Sequence, residues 1–317
     1  MPENERKLIE RIRRHAGAGK SGKTLVTGIG DDTAVLRIPP NHELLVTTDF
    51  SIENVHFRRN WHAPEVIGWR CLTRGLSDIA AMGGRPLAIF LSLAVSVDIP
   101  QSWVDGFLKG LLGLAKEFGV PLAGGDTAEA VCGIQADIVV VGSVPKGTAV
   151  LRAGAKAGDR IFVTGELGAS AAALARLRDS QPLGKERERH FRPMARVAVG
   201  QWLRDHNIPS AMIDVSDGLS TDLEHICQES AVGAEIAAES IPCAPMGSGK
   251  MRVGIDFALH GGDDYELLFT SSERVPPRIE GIAINCIGQI MRRKGMWIVD
   301  SGGKRALEPK GWEHFRG

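Results

Sequence analysis

A chain of 317 residues exceeds the usual size of one domain and favours two. Hydrophobic residues at 43% and charged residues at 24% describe a globular protein with a sizeable core and exclude extended disorder. Basic and acidic residues balance at 38 each, which argues against a binder dominated by nucleic-acid phosphates. Five cysteines, odd in number and widely spaced, argue against a disulfide framework or a structural zinc site and favour a reducing cytosol. The start Met1-Pro2-Glu3-Asn4 is polar, and no apolar run reaches membrane-spanning length. The expectation is a cytoplasmic protein whose partners include neither membrane nor nucleic acid.

In chain order, Glu3–His15 reads as an amphipathic helix with Leu8, Ile9 and Ile12 on one side. The stretch Gly17-Ala18-Gly19-Lys20-Ser21-Gly22-Lys23-Thr24 matches a Walker A pattern. A phosphate-binding loop needs a buried strand before it and a helix starting at the lysine. Here a charged helix precedes it and a short strand, Leu25-Val26-Thr27, follows, so a basic glycine-rich linker is expected. Strands are predicted over Thr33–Ile38 and Glu43–Ile52, a helix over Pro64–Met82, a strand over Leu87–Val97 and a helix over Ser102–Phe118. Further strands near Val120 and over Ile134–Val144 complete one α/β unit. The Gly-, Ala- and Lys-rich segment Lys146–Asp159 begins a second unit, with the boundary placed between residues 148 and 149. Its predicted elements are a strand at Arg160–Thr164, helices from Ala169 and from Pro193 to Asp205, a strand at Ala211–Val215 and a helix at Leu219–Cys227. Strands near Leu267, Ile284 and Trp297 follow.

The most informative pattern is a series of short acidic clusters flanked by glycine or hydroxyl residues. They are Gly28-Ile29-Gly30-Asp31-Asp32, Thr47-Thr48-Asp49, Ser77-Asp78, Gly124-Gly125-Asp126, Asp214-Val215-Ser216-Asp217-Gly218 and Gly261-Gly262-Asp263-Asp264. Carboxylates repel one another and repel phosphate, so this many share a site with an anionic ligand only when hard cations lie between them. The pattern reads as a divided metal site suited to metal-assisted phosphoryl transfer.

Strand periodicity places Thr47 and Asp49 on one face with Leu45, and Leu44, Val46, Thr48 and Phe50 on the other. On a helical wheel Asp78 falls at the edge of a stripe formed by Gly68, Cys71, Gly75, Ile79 and Met82, with Arg70, Thr73 and Ser77 pointing away. Gly124-Gly125-Asp126 is expected at a strand end, where α/β folds assemble ligand sites. Asp214 and Ser216 share a strand face, and Asp217 is placed to cap the next helix. His56 and Arg152 are each compatible with an anion contact or with a structural place.

Taken in order, these motifs, together with Leu76-Ser77-Asp78-Ile79-Ala80-Ala81-Met82-Gly83 and Gly261-Gly262-Asp263-Asp264-Tyr265-Glu266-Leu267, resemble those of the thiamine-monophosphate kinase family. That family lies in the ATP-binding superfamily of aminoimidazole ribonucleotide synthetase and selenophosphate synthetase. The resemblance runs from Gly28 to Phe315. It implies Mg²⁺-dependent transfer of the ATP γ-phosphoryl group to thiamine monophosphate, giving thiamine diphosphate and ADP by in-line attack, with no certain catalytic side chain. Asp32, Thr47, Thr48, Asp49, Asp78, Asp126, Asp214 and Asp217 are then expected to hold several Mg²⁺ ions. Gly125, Asp126, Arg152 and Ser216 are expected to meet ATP, and His56, Asp263 and Trp312 to meet thiamine monophosphate. The implied fold is an N-terminal mixed α/β domain, residues 1–148, which dimerises through its sheet, followed by a C-terminal α+β domain, residues 149–317. Asp263 stands where relatives often carry glutamate, and the Walker-like stretch is no hallmark of the family. The alternatives are another superfamily enzyme that activates an amide or formyl oxygen, and a non-catalytic nucleotide-binding dimer.

Overall fold

Residues 5–16 and 24–315 are described by the computed structural model; the Walker-like residues 17–23 lie outside them. The first elements are α1 (Glu5–His15), β1 (Leu25–Thr27), β2 (Val35–Leu36), β3 (His42–Ile52), α2 (Pro64–Ala81), β4 (Arg85–Val95), α3 (Gln101–Glu117), β5 (Leu122–Glu129) and β6 (Ile134–Pro145). They form one unit, of residues before Ala80 together with Gly84–Gly147. Its sheet runs β3-β6-β4-β5, with β4 and β5 parallel and the other pairs antiparallel. The parallel pair requires a crossover, which α3 supplies.

Leu8 and Ile12 of α1 are buried as periodicity demands, whereas Ile9 is 40% exposed. The strand expected over Thr33–Ile38 shrinks to two residues paired with β1. Helix α2 departs most from the one-face expectation, because Arg70, Thr73 and Ser77 are all buried. It lies between the sheet and α3, so more than one of its faces is covered. Gly68 makes that packing possible. A Cβ there would stand 1.9 Å from the Phe107 carbonyl oxygen of α3, and one on Gly75 would stand 2.5 Å from Val140 of β6.

The second unit comprises Ala80–Gly83 and the residues from Thr148 onward. Its elements are β7 (Arg160–Thr164), α4 (Ala169–Arg178), α5 (Glu186–Phe191), α6 (Val197–Asp205), β8 (Ala211–Val215), α7 (Leu219–Glu229), β9 (Gly233–Ala237), β10 (Pro245–Met246), β11 (Met251–Arg252) and α8 (Ile255–His260). They continue with β12 (Glu266–Ser271), β13 (Arg278–Ile279), β14 (Ile282–Met291), β15 (Gly295–Asp300) and β16 (Gly303–Ala306). The main sheet runs β16-β15-β9-β14-β7-β12-β8 and is antiparallel except for β9 with β15. Ile161, Val163, Ile213 and Val215 of the sheet pack with Leu219, Leu223 and Ile226 of α7 in one core. The architecture is thus α/β in the first unit and α+β in the second. Among the described residues, no helix is long and apolar enough to cross a membrane.

Candidate active site

In the N-terminal unit, β3 turns Thr47 and Asp49 toward α2, and the close seat of α2 on the sheet brings Asp78 to meet them. The Thr47 hydroxyl donates to Asp78 Oδ2, and Asp49 and Asp78 share a side-chain hydrogen bond. Burial pushes the Asp49 carboxyl from its ordinary 3.8 up to about 7, and the neighbouring charge of Asp78 pushes the same way; Arg74 opposes them. Two carboxyls this close retain a proton between them unless a cation takes its place. The donors here, Thr47 Oγ1 and two carboxylates, are all hard oxygens of the type that suits Mg²⁺.

The opposite face of the same sheet carries a second polar row. Thr48 Oγ1 donates to Asp137 Oδ1 at 2.8 Å. Asp137 on β6 pairs in register with Ser92 on β4, and Ser92 with Asp126 on β5. In-register neighbours on adjacent strands point to one side. The side chains of Thr48 and Asp126 therefore stand on the other face from those of Thr47 and Asp49. Asp126 lies inside β5 rather than at a strand end; its carboxylate is exposed and accepts the Thr127 N–H at 2.9 Å. Gly125 is required by the strand pairing itself, since with φ at +148° a Cβ would fall 1.8 Å from the Leu91 carbonyl oxygen.

Two expected site residues of this unit have local partners instead. Asp32 is exposed in the turn between β1 and β2, its N–H bonded to Asp31 Oδ1 at 2.9 Å. His56 Nδ1 accepts the Ile52 N–H at 3.0 Å and braces the turn that follows β3.

In the C-terminal unit the Asp214–Gly218 segment wraps a carboxylate that the sequence reading missed. Asp222 Oδ2 accepts the backbone N–H groups of Ser216, Asp217 and Gly218 at 3.2, 3.2 and 3.1 Å. Burial, reinforced by the charges of Asp214 and Asp217, holds the Asp222 carboxyl well above the usual range. The expectation that Asp217 caps α7 is corrected. Gly218 occupies the cap position without a side-chain bond, and Asp222 takes the N–H groups from within the first turn. Asp217 is thereby left facing Asp222 and His225; one ligand atom from each of the three lies within 4.8 Å of the others. Asp214 itself is buried in β8, both of whose faces are covered.

The same turn gathers the two expected substrate residues of this unit. The Asp263 N–H donates to the Ser216 carbonyl at 2.8 Å, and the Tyr265 hydroxyl donates to Asp263 Oδ1 at 2.5 Å, so the Asp263 carboxylate is held in place. The Trp312 N–H donates to the Asp217 carbonyl at 3.0 Å, and the Gly311 N–H to Thr221 Oγ1 at 3.0 Å. The C-terminal tail is thus docked by its backbone while the indole stays 49% exposed. Arg152 is exposed, and its carbonyl accepts the Ser230 hydroxyl at 3.3 Å.

Asp137, Asp222 and His225 were not singled out in the sequence, and Tyr265 stood there only as part of the Gly261–Leu267 motif. Asp137 was legible as the lone charge in Ile134–Val144, and Asp222 with His225 as an i, i+3 pair on one helix face.

Two successive domains of one superfamily account for this architecture. The model for AIR synthase related protein, N-terminal domain, matches residues 30–145, and that for AIR synthase related protein, C-terminal domain, matches residues 156–275. The thiamine-monophosphate kinase of Salmonella typhimurium is 36% identical over 304 residues, covering 91% of this chain and 92% of that protein. The crystal structure of thiamine-monophosphate kinase from Stenotrophomonas maltophilia K279a superposes with a TM-score of 0.80 at 33% identity, covering 94% of this chain and 97% of the other. The structure of AaThiL complexed with AMPPCP and TMP gives 0.77 at 31% identity, covering 98% and 97%. The chain belongs to the thiamine-monophosphate kinase family and is an ATP-dependent phosphotransferase.

Proposed function

We propose that this protein transfers the γ-phosphoryl group of ATP to thiamine monophosphate, giving thiamine diphosphate and ADP by direct in-line displacement. The observation that carries the reading is the full-length likeness to AaThiL complexed with AMPPCP, an analogue of ATP, and TMP. In the N-terminal unit, Thr47, Asp49 and Asp78 hold Mg²⁺ at the buried carboxyl pair, and Asp32, Thr48 and Asp126 serve further ions. Gly125 and Asp126 approach the nucleotide. When bound, several Mg²⁺ ions supply the positive charge that lets phosphate oxygens approach so many carboxylates.

In the C-terminal unit, Asp214 and Asp217 are the metal-binding pair, with Asp222 and His225 beside Asp217, and Ser216 and Arg152 offer contacts to phosphate. Asp263, oriented by the Tyr265 hydroxyl, and the exposed indole of Trp312 receive thiamine monophosphate. The cationic thiazolium suits both a carboxylate and an indole face. No side chain is assigned as a general base; positioning and charge neutralisation account for the chemistry.

The enzyme acts as a homodimer in the cytosol. Leu44, Val46 and Phe50 stand 48%, 64% and 58% exposed on one face of edge strand β3, an apolar strip of the kind a second copy covers. The test is phosphate-acceptor profiling of the purified protein with ATP and Mg²⁺. Formation of thiamine diphosphate is the expected result. ADP release only with an amidine or formyl substrate, or nucleotide binding without turnover, overturns the assignment.

A further inference from the structure

The C-terminal unit contains a cavity of about 640 Å³ whose wall shares no residue with the assignments above. Four arginines face it: Arg189, Arg196, Arg252 and Arg278. Two carboxylates accept hydrogen bonds from them, and the buried Asp264 carboxyl lies within electrostatic reach of Arg189. Glu266, fully buried and outside the wall, is saturated, for it accepts Thr164 Oγ1 at 2.6 Å, Arg189 Nη1 at 2.9 Å, and Arg196 through Nε at 2.7 Å and Nη2 at 2.5 Å. Glu166, in the wall, accepts Arg252 Nη1 at 2.6 Å and lies 3.6 Å from Arg189 Nη2. Four guanidinium groups outnumber the two carboxylates bonded to them.

The arginines also have donors to spare. Arg252 engages the protein only through Nη1, to Glu166 and to the Cys243 carbonyl at 3.1 Å, and Arg278 only through Nη1, to the Gly281 carbonyl at 3.0 Å. Their remaining N–H groups have no protein acceptor among the described residues. Guanidinium groups match phosphate oxygens in pairs of parallel hydrogen bonds. The volume exceeds what a bare phosphate fills and falls in the range of small-molecule sites. Ile241 and Pro242 add an apolar wall against which an organic group can rest.

The geometry points to a binding site for a small phosphorylated organic anion, recognised by Arg252 and Arg278 and independent of divalent cations. Independence from metal separates it experimentally from the acidic clusters, which repel anions when cations are removed. Titration calorimetry of the full chain in EDTA, with inorganic phosphate and with pyrophosphate as probes, is the experiment. Binding is expected in EDTA, weakened about tenfold or more by Arg252→Gln with Arg278→Gln. Glu166→Gln, which removes a carboxylate competing for Arg252, is expected to tighten it. Both variants alter wall residues outside the hydrophobic core, and an unchanged melting temperature without anion shows that they fold. No binding in EDTA, binding that needs Mg²⁺, or equal affinity in the arginine variant overturns the proposal.

Discussion

Asp49→Asn separates a residue kept for function from one kept for stability, because the two roles predict opposite changes in melting. The Asp49 carboxyl is raised from 3.8 to about 7 by burial and by Asp78. At about 1.4 kcal/mol for each tenfold, the ionised form costs the metal-free fold on the order of 4 kcal/mol, and solvent screening of a half-buried group reduces this to roughly 2. The folded protein therefore binds more protons than the unfolded chain between these values, and its stability falls across that window. The penalty is absent below pH 3.8, grows as pH rises and is complete above about 7. Asparagine cannot ionise, so in EDTA at pH 8 the variant is expected to melt several degrees above the wild type, with the difference vanishing toward pH 4. Mg²⁺ should then stabilise the variant less than the wild type, and the variant should lose most of its turnover. Calorimetric scans with and without Mg²⁺, alongside a coupled ADP assay, measure both. Earlier melting of the variant in EDTA, or Mg²⁺-dependent stabilisation and activity equal to the wild type's, refutes the reasoning.

Trp312→Ala is expected to raise the Michaelis constant for thiamine monophosphate several-fold and leave that for ATP unchanged, since the indole is exposed while the backbone does the docking. A lower melting temperature with unchanged kinetics would make the tail purely structural. Gly68→Ala is expected to destabilise by about 1–3 kcal/mol, because its Cβ meets a backbone carbonyl that cannot swing aside; a denaturant midpoint equal to wild type contradicts the tight α2–α3 crossing. Phe50→Asp places a charge on the exposed apolar strip of β3 and is expected to yield monomers in analytical ultracentrifugation. A variant that sediments like the wild type would place any dimer interface elsewhere.

Local pattern was sufficient wherever one element faces one environment. The alternation in Leu44–Phe50 correctly separates Thr47 and Asp49 from Thr48, and the strand at Arg160–Thr164 and the start of the helix at Ala169 fall where periodicity and turn chemistry put them. The acidic motifs themselves, and the family they indicate, were equally legible, since residue types at close spacing need no fold to be recognised. Pattern was insufficient wherever burial comes from more than one side or pairing from far along the chain. The wheel for α2 misplaced Arg70, Thr73 and Ser77 because the sheet and α3 cover that helix together. Strand β9, only Gly233–Ala237, lacks a marked alternation and exists because β14 and β15 flank it. Asp222 looked like an ordinary helix residue; the turn of the Ser216–Gly218 backbone over its carboxylate gives it three N–H donors, while burial and the nearby charges of Asp214 and Asp217 outweigh them and raise its protonation range. The kinds of chemistry were written in local sequence, whereas the meeting of Thr47 and Asp49 with Asp78, and of Thr48 with Asp137, and the burial that sets the charge of Asp49 and Asp222, were decided by tertiary packing.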